Sequence, residues 1–222
     1  MIRPVFISIA ALTIILSLSF QLSAQRFTFE GGFTAGLNRA DFLGEKEKFW
    51  FDDYNRSATS GISAGPFVKC NFNIDTYGLL ELRYTRKGCK FGYINKIFTQ
   101  SFERVILDYI ELPVMYGANS VFHGKSGDKA FAFETGFAFS RLFSSRLDYD
   151  PEMKREVTAN ISGFRNYDIS WIGRIKIPYK TKKRHALLWG FRIEDSLLSI
   201  NNQYKLRNFC FGIELNYVAK NL

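Results

Sequence analysis

A chain of 222 residues, 46% hydrophobic and 17% aromatic with 23 Phe and 11 Tyr, suits one domain built from strands rather than helices. Its formal charge of +9 suits nucleic acid or an anionic membrane, and the N-terminal segment described next excludes nucleic acid. Cys70, Cys89 and Cys210 are odd in number and scattered, so they read as small packing residues, not as a disulfide framework.

Met1-Ile2-Arg3 gives a short positive start, Val5 to Phe20 an apolar run, and Leu22-Ser23-Ala24-Gln25 a small residue at a cut. Residues 1–24 therefore read as a signal peptide cleaved near Ala24, and 25–222 as the mature domain. An uncleaved anchor is the alternative, but a span needs about 20 apolar residues and this run is shorter. No Cys follows to carry lipid. Beyond Ala24 no long apolar stretch occurs, so helical spanning is excluded and the mature chain is a secreted soluble protein or a membrane barrel.

Strict alternation favours the barrel, since a period of two gives each strand two faces in different environments. In chain order, Arg26 to Asn38 sets Phe27, Phe29, Phe33, Ala35 and Leu37 against Thr28, Glu30, Thr34 and Asn38. Ser60 to Asn73 sets Ile62, Ala64, Val68, Cys70 and Phe72 against Ser63, Lys69 and Asn71, with Phe67 breaking the polar face. Tyr77 to Lys90 sets Leu80, Leu82 and Tyr84 against Glu81, Arg83, Thr85 and Lys87. Val105 to Tyr116 sets Ile110, Leu112, Val114 and Tyr116 against Glu111. Lys129 to Leu142 alternates Phe131, Phe133, Phe137 and Phe139 with Ala132, Glu134, Ala138 and Ser140. Tyr167 to Pro178 sets Ile169, Trp171, Ile175 and Ile177 against Asp168, Ser170, Arg174 and Lys176. Ala186 to Leu197 sets Leu187, Trp189, Phe191 and Ile193 against Arg192 and Glu194. Tyr204 to Val218 sets Phe209, Phe211, Ile213, Leu215 and Tyr217 against Asn208, Glu214 and Asn216. The fold expected is all-β: an up-and-down, eight-stranded antiparallel transmembrane barrel in the outer membrane.

With a periplasmic N-terminus, outer loops fall at 40–59, 91–104, 143–166 and 199–203, and periplasmic turns at 74–76, 117–128 and 179–185. Charges that interrupt the apolar faces, Arg39, Arg86, Asp108, Arg141, Asp195, Lys205 and Arg207, all lie at outer strand ends, where a charge facing lipid is cheap. The five basic ones form a rim that either pairs with lipopolysaccharide phosphates or only marks the membrane border. Pro66 and Pro113 fall inside strands, and a bulge or strand end is expected at each.

The polar faces carry Glu30, Glu81, Glu111, Glu134, Glu194 and Glu214 beside Lys69, Arg83, Lys87, Arg174, Lys176 and Arg192. Eight strands leave room only for side chains, so these charges are expected to pair across the lumen and plug it. An ion path or catalytic carboxylates are the functional alternatives. Phe49-Trp50-Phe51 in the first outer loop either contacts a partner or folds onto the mouth or interface.

Two stretches resemble a known family. Leu79-Leu80-Glu81-Leu82-Arg83-Tyr84-Thr85-Arg86-Lys87-Gly88 resembles the "ELxYxxKG" strand of PorT-like outer-membrane barrels. Tyr109-Ile110-Glu111-Leu112-Pro113-Val114 is similar to the "YLEIPL" strand that follows it there, and Gly31 to Asn38 resembles the opening strand. The resemblance implies an outer-membrane barrel of undefined biochemical role, whose name-giving member is linked to a secretion system. Glu81, Gly88, Glu111 and Pro113 read as barrel-building residues. The chain departs from such barrels in ending Tyr217-Val218-Ala219-Lys220-Asn221-Leu222 instead of on an aromatic.

No catalytic set, cofactor motif or metal site is expected. His123 and His185 fall in predicted turns, and Ser120 and Ser126 flank the first without a group to orient them. The histidines and cysteines lack ligand spacing. Asp148, Asp150 and Glu152 sit beside Lys154 and Arg155, which favours a solvated loop over a cation site. The expectation is a non-enzymatic barrel with a structural, binding or assembly-associated role. Its partners would be outer-membrane lipid, lipopolysaccharide and other envelope proteins. An enzyme or narrow channel on the same barrel is the alternative.

Overall fold

The computed structural model describes residues 27–44, 55–94, 100–124, 127–149, 159–160, 163–181, 185–201 and 205–219. The expected signal segment 1–24 and Phe49-Trp50-Phe51 lie outside the described residues. Regular structure among them is all strand: β1 (Thr28–Leu43), β2 (Asn55–Asn71), β3 (Thr76–Glu81), β4 (Arg83–Ile94), β5 (Gln100–Gly124), β6 (Gly127–Tyr149), β7 (Ala159–Asn160), β8 (Tyr167–Thr181), β9 (His185–Ser196) and β10 (Arg207–Ala219).

β3 and β4 together form one wall interrupted at Leu82, and β7 is a short ladder on the far extension of β6. The other strands each supply a wall, so eight antiparallel walls follow one another around the sheet. The ring closes where β10 pairs with β1, from Gly31↔Ala219 to Leu43↔Arg207, and among the described residues no long edge is left open. The described termini thus share one end, called here the base; the opposite end is the rim. Outward positions are apolar and exposed, as at Leu37, Phe133, Phe137, Phe191 and Ile213, while the alternate positions are buried.

Several strands run further than hydrophobic contrast alone suggests. The segment 117–128, expected as a periplasmic turn, continues the β5–β6 hairpin from Gly117↔Glu134 to Gly124↔Gly127. Small and polar residues there erase the contrast between faces without interrupting the backbone ladder. The expected loop 91–104 is likewise mostly paired, down to Ile94↔Gln100. His123 therefore lies in β5 and His185 opens β9, neither in a turn.

The prolines also behave differently from expectation. β2 stays continuous through Pro66 and β5 through Pro113. Both face the interruption at Leu82: β2 pairs Ala64↔Tyr84 and Phe67↔Glu81 on either side of Pro66, and β5 pairs Arg83↔Glu111 and Leu80↔Val114 on either side of Pro113. A proline accepts a rung but cannot donate one. Pro66 O accepts from the Leu82 amide at 3.0 Å with no return bond, so it is the shared neighbour that is broken. The bulges lie elsewhere: between Ala58 and Ser63, opposite Asp108/Tyr109 where Phe143 is skipped, and at Tyr179.

Phe67, which breaks the polar face in sequence, points inward and packs over Gly32, where a Cβ would collide with its ring. Gly88 adopts φ +148°, and a Cβ there would press on the Val105 carbonyl oxygen. Gly88→Ala should therefore lower stability by about 1–3 kcal/mol. The check is the temperature at which heat-modifiable migration is lost, and an unchanged temperature would contradict the assigned backbone.

Candidate functional site

The interior is layered, and each layer follows from the order of inward residues along the walls. Going from base to rim, β3 and β4 present Tyr77 and Leu79, then Glu81, Arg83 and Lys87, then Cys89 and Phe91. Running the other way, β5 presents Leu107 and Tyr109, then Glu111, then Met115. Across the ring these rows build three strata.

The base stratum is apolar: Phe67, Tyr77, Leu79, Met115 and Val218 pack together with Leu188 against them, and Ile172 joins the cluster from one step nearer the rim on β8. The rim stratum is apolar too, with Phe42, Phe91, Val105, Leu107, Tyr109 and Leu147 closed over by Ile200 and Leu206. The last two come from the β9–β10 connection, which is tied down by bridges Phe164↔Asn201 and Asn201↔Leu206.

Between them lie five buried acids, Glu81, Glu111, Glu134, Glu194 and Glu214, and five buried bases, Arg83, Lys87, Arg174, Lys176 and Arg192. Toward the rim, Arg83 Nη2 donates to Glu111 (2.5 Å) and Glu194 (3.1 Å). Lys87 Nζ reaches the same two carboxylates at 2.7 and 2.5 Å. Thr85 and Ser170 hydroxyls donate to Glu111 (2.8 Å) and Glu194 (2.7 Å), using up further lone pairs.

Toward the base, Arg174 meets Glu81 at 2.6 Å and Glu134 at 3.6 Å, Lys176 meets Glu134 at 2.8 Å, and Tyr77 donates to Glu134 at 2.8 Å. Glu214 on β10 joins the halves, lying 2.9 Å from Arg192, 3.1 Å from Arg174 and 3.6 Å from Arg83. Lys69 and Glu30 pair with each other at 3.2 Å, part-exposed at the base and apart from this network.

Sequence reasoning gave no role to Asp168, although it shares its face with Ser170, Arg174 and Lys176. It is buried on the rim side of the network, and accepts from Ser196 (2.5 Å) and Asn208 (3.2 Å), whose amide also reaches Tyr109 at 3.3 Å. Thr85 and Ser170 were likewise legible only as inward-facing, and Tyr77 only as the start of its run.

The basic rim residues do not behave as a set. Arg86 is held by Asp108 at 2.8 Å and Arg207 lies 4.0 Å from Asp195. Arg39, Arg141 and Lys205 are exposed without an ion pair among the described residues. Among the described residues no group of three His, Cys, Asp or Glu side chains is placed to hold a metal. Asp150 and Glu152 lie outside them. His185 stacks on Tyr217 at the base. Among the described residues Cys70, Cys89 and Cys210 form no disulfide.

Chemically, the five acids and five bases form one ion-paired network between apolar layers, in which several buried atoms, among them both Glu214 oxygens and Arg192 Nη1, have ion-pair neighbours but no hydrogen bond among the described residues.

Residues 20–202 match the profile of the family described as "Outer membrane protein beta-barrel domain". No curated protein matches the sequence. Among solved structures the chain is similar to the outer membrane protein OprG from Pseudomonas aeruginosa (11% identity, 89% of this chain and 97% of that one, TM-score 0.48). It is similar also to Neisserial surface protein A, NspA (11%, 86% and 96%, 0.46). A third is Ail, the attachment invasion locus protein of Yersinia pestis (9%, 86% and 99%, 0.38).

Removing one partner from a buried ionic network leaves the others uncompensated. Glu214→Gln should cost about 3–5 kcal/mol, whereas Glu30→Gln, in a part-exposed pair, should cost less than about 1 kcal/mol. The urea midpoint of the detergent-solubilised protein measures both, and equal shifts would contradict the assignment.

Proposed function

Starting from the fact that the chain belongs to the outer membrane protein beta-barrel domain family, we propose that it is a closed, non-conducting and non-enzymatic outer-membrane barrel that works through its surface. The carrying observation is the balanced ion-paired centre between two apolar strata. A conducting barrel needs a continuous polar path, and here any such path would cross Phe42, Leu107 and Ile200 at one end and Phe67, Leu79 and Met115 at the other.

On this reading the base faces the periplasm, the segment 1–24 is removed on export, and the rim faces outward. Arg39, Arg86, Arg141, Lys205 and Arg207 then meet phosphate-bearing headgroups such as those of lipopolysaccharide, and Phe49-Trp50-Phe51 contacts another envelope protein. Within the family, the strands at 79–88 and 109–114 favour the PorT-like branch and an association with protein secretion or assembly.

Planar-bilayer recording of the refolded protein tests the closed state. No discrete conductance steps are expected at moderate voltage. Reproducible ohmic steps would overturn it.

A further inference from the structure

The outer wall between β5, β6 and β8 carries a groove of about 380 Å³ just below the rim charges. Register defines its rows. Toward the rim, Ile110, Arg141 and Tyr167 stand side by side, since Arg141 pairs with Ile110 on one side and Tyr167 on the other. One level nearer the base, Leu112, Phe139 and Ile169 stand side by side in the same manner. Leu82, at the interruption between β3 and β4, forms the groove's far flank. The floor is therefore apolar, and its rim-side edge holds one guanidinium and one phenol.

Arg141 is one of three rim cations, with Arg39 and Lys205, that stand exposed without an ion pair among the described residues, and of the three it is the one that lines this groove. Arg86 and Arg207 have carboxylates of their own beside them, whereas Arg141 is exposed and has none among the described residues. An unpaired cation above an apolar channel on a lipid-facing wall is complementary to an amphiphile with an anionic head. Lysine- or arginine-to-phosphate contacts are stronger than neutral ones, and each methylene taken from water is worth roughly 0.8 kcal/mol.

We propose that this groove is a lipid site: an acyl chain lies along Leu82, Leu112, Phe139 and Ile169, and a headgroup phosphate pairs with Arg141 and accepts from the Tyr167 hydroxyl. The occupant is a phosphate-bearing lipid of the leaflet around the rim, lipid A being the available species there. The inference rests on the reading that this wall faces the membrane, and it narrows the rim from a diffuse girdle to one built site.

The test is native mass spectrometry of the full mature chain in neutral detergent micelles doped with lipid A or with its dephosphorylated form. The wild type should retain one phosphorylated lipid about fivefold better than the dephosphorylated one, a difference of the size an exposed charged contact gives. Arg141→Ala should erase that preference, and Arg141→Lys should restore part of it. Ile169→Trp, which fills the groove without changing charge, should weaken both lipids. Arg104→Ala, removing an equal charge from another rim-end position, should change neither. Undiminished preference in Arg141→Ala, or an equal loss in Arg104→Ala, overturns the site. A chain that stays monodisperse without detergent would instead overturn the membrane reading beneath it.

Discussion

A charged group taken out of water has to find its counter-charge, and the interior of this barrel is organised around that requirement. Eight walls enclose a space narrow enough for the described inward side chains to pack across it. Ten ionised residues placed there would be ruinous singly, at several kcal/mol each, and are tolerable only as a network. Pairing in turn fixes register. A one-residue slip of β10 against β1 would carry Glu214 to the lipid side and leave Arg83, Arg174 and Arg192 without their common carboxylate.

The two apolar strata follow from the same constraint. Ionic contacts strengthen as water is excluded, and Phe67, Tyr77 and Met115 below, with Phe42, Leu107 and Ile200 above, are the residues that exclude it. Lys176 over the Phe67 ring and Lys87 over the Tyr109 ring join the charged layer to both seals through cation–π contact. The outward face solves the opposite problem with aliphatic and aromatic side chains. Among the described strand residues its outward charges, such as Arg39, Arg86, Arg141 and Arg207, sit toward the rim.

Parity made the inward set legible. The run from Tyr77 carries Glu81, Arg83 and Lys87 onto a single face, and the same three side chains are buried in the structure. Parity cannot say which acid meets which base, because that depends on shear between strands distant in sequence: Arg83 and Glu194, or Arg174 and Glu81, are brought together only by closure of the ring. Strand ends were harder. Beyond Tyr116 the chain turns to small and polar residues, and a backbone ladder needs no hydrophobic contrast to continue. The prolines misled for a related reason. The lost rung falls on both sides of Leu82, so the interruption appears in a strand whose own sequence contains no proline.

The two faces of each wall meet different media, lipid outside and the ion-paired interior within. Site-directed spin labels at Leu37, Ile62 and Ile213, and at inward Asn38, Ser63 and Asn216, distinguish these media in reconstituted bilayers. Outward labels should relax strongly with oxygen and weakly with a water-soluble nickel chelate, and inward labels weakly with both. Inward labels that respond to the chelate would mean a water-filled lumen and would contradict the ion-paired seal.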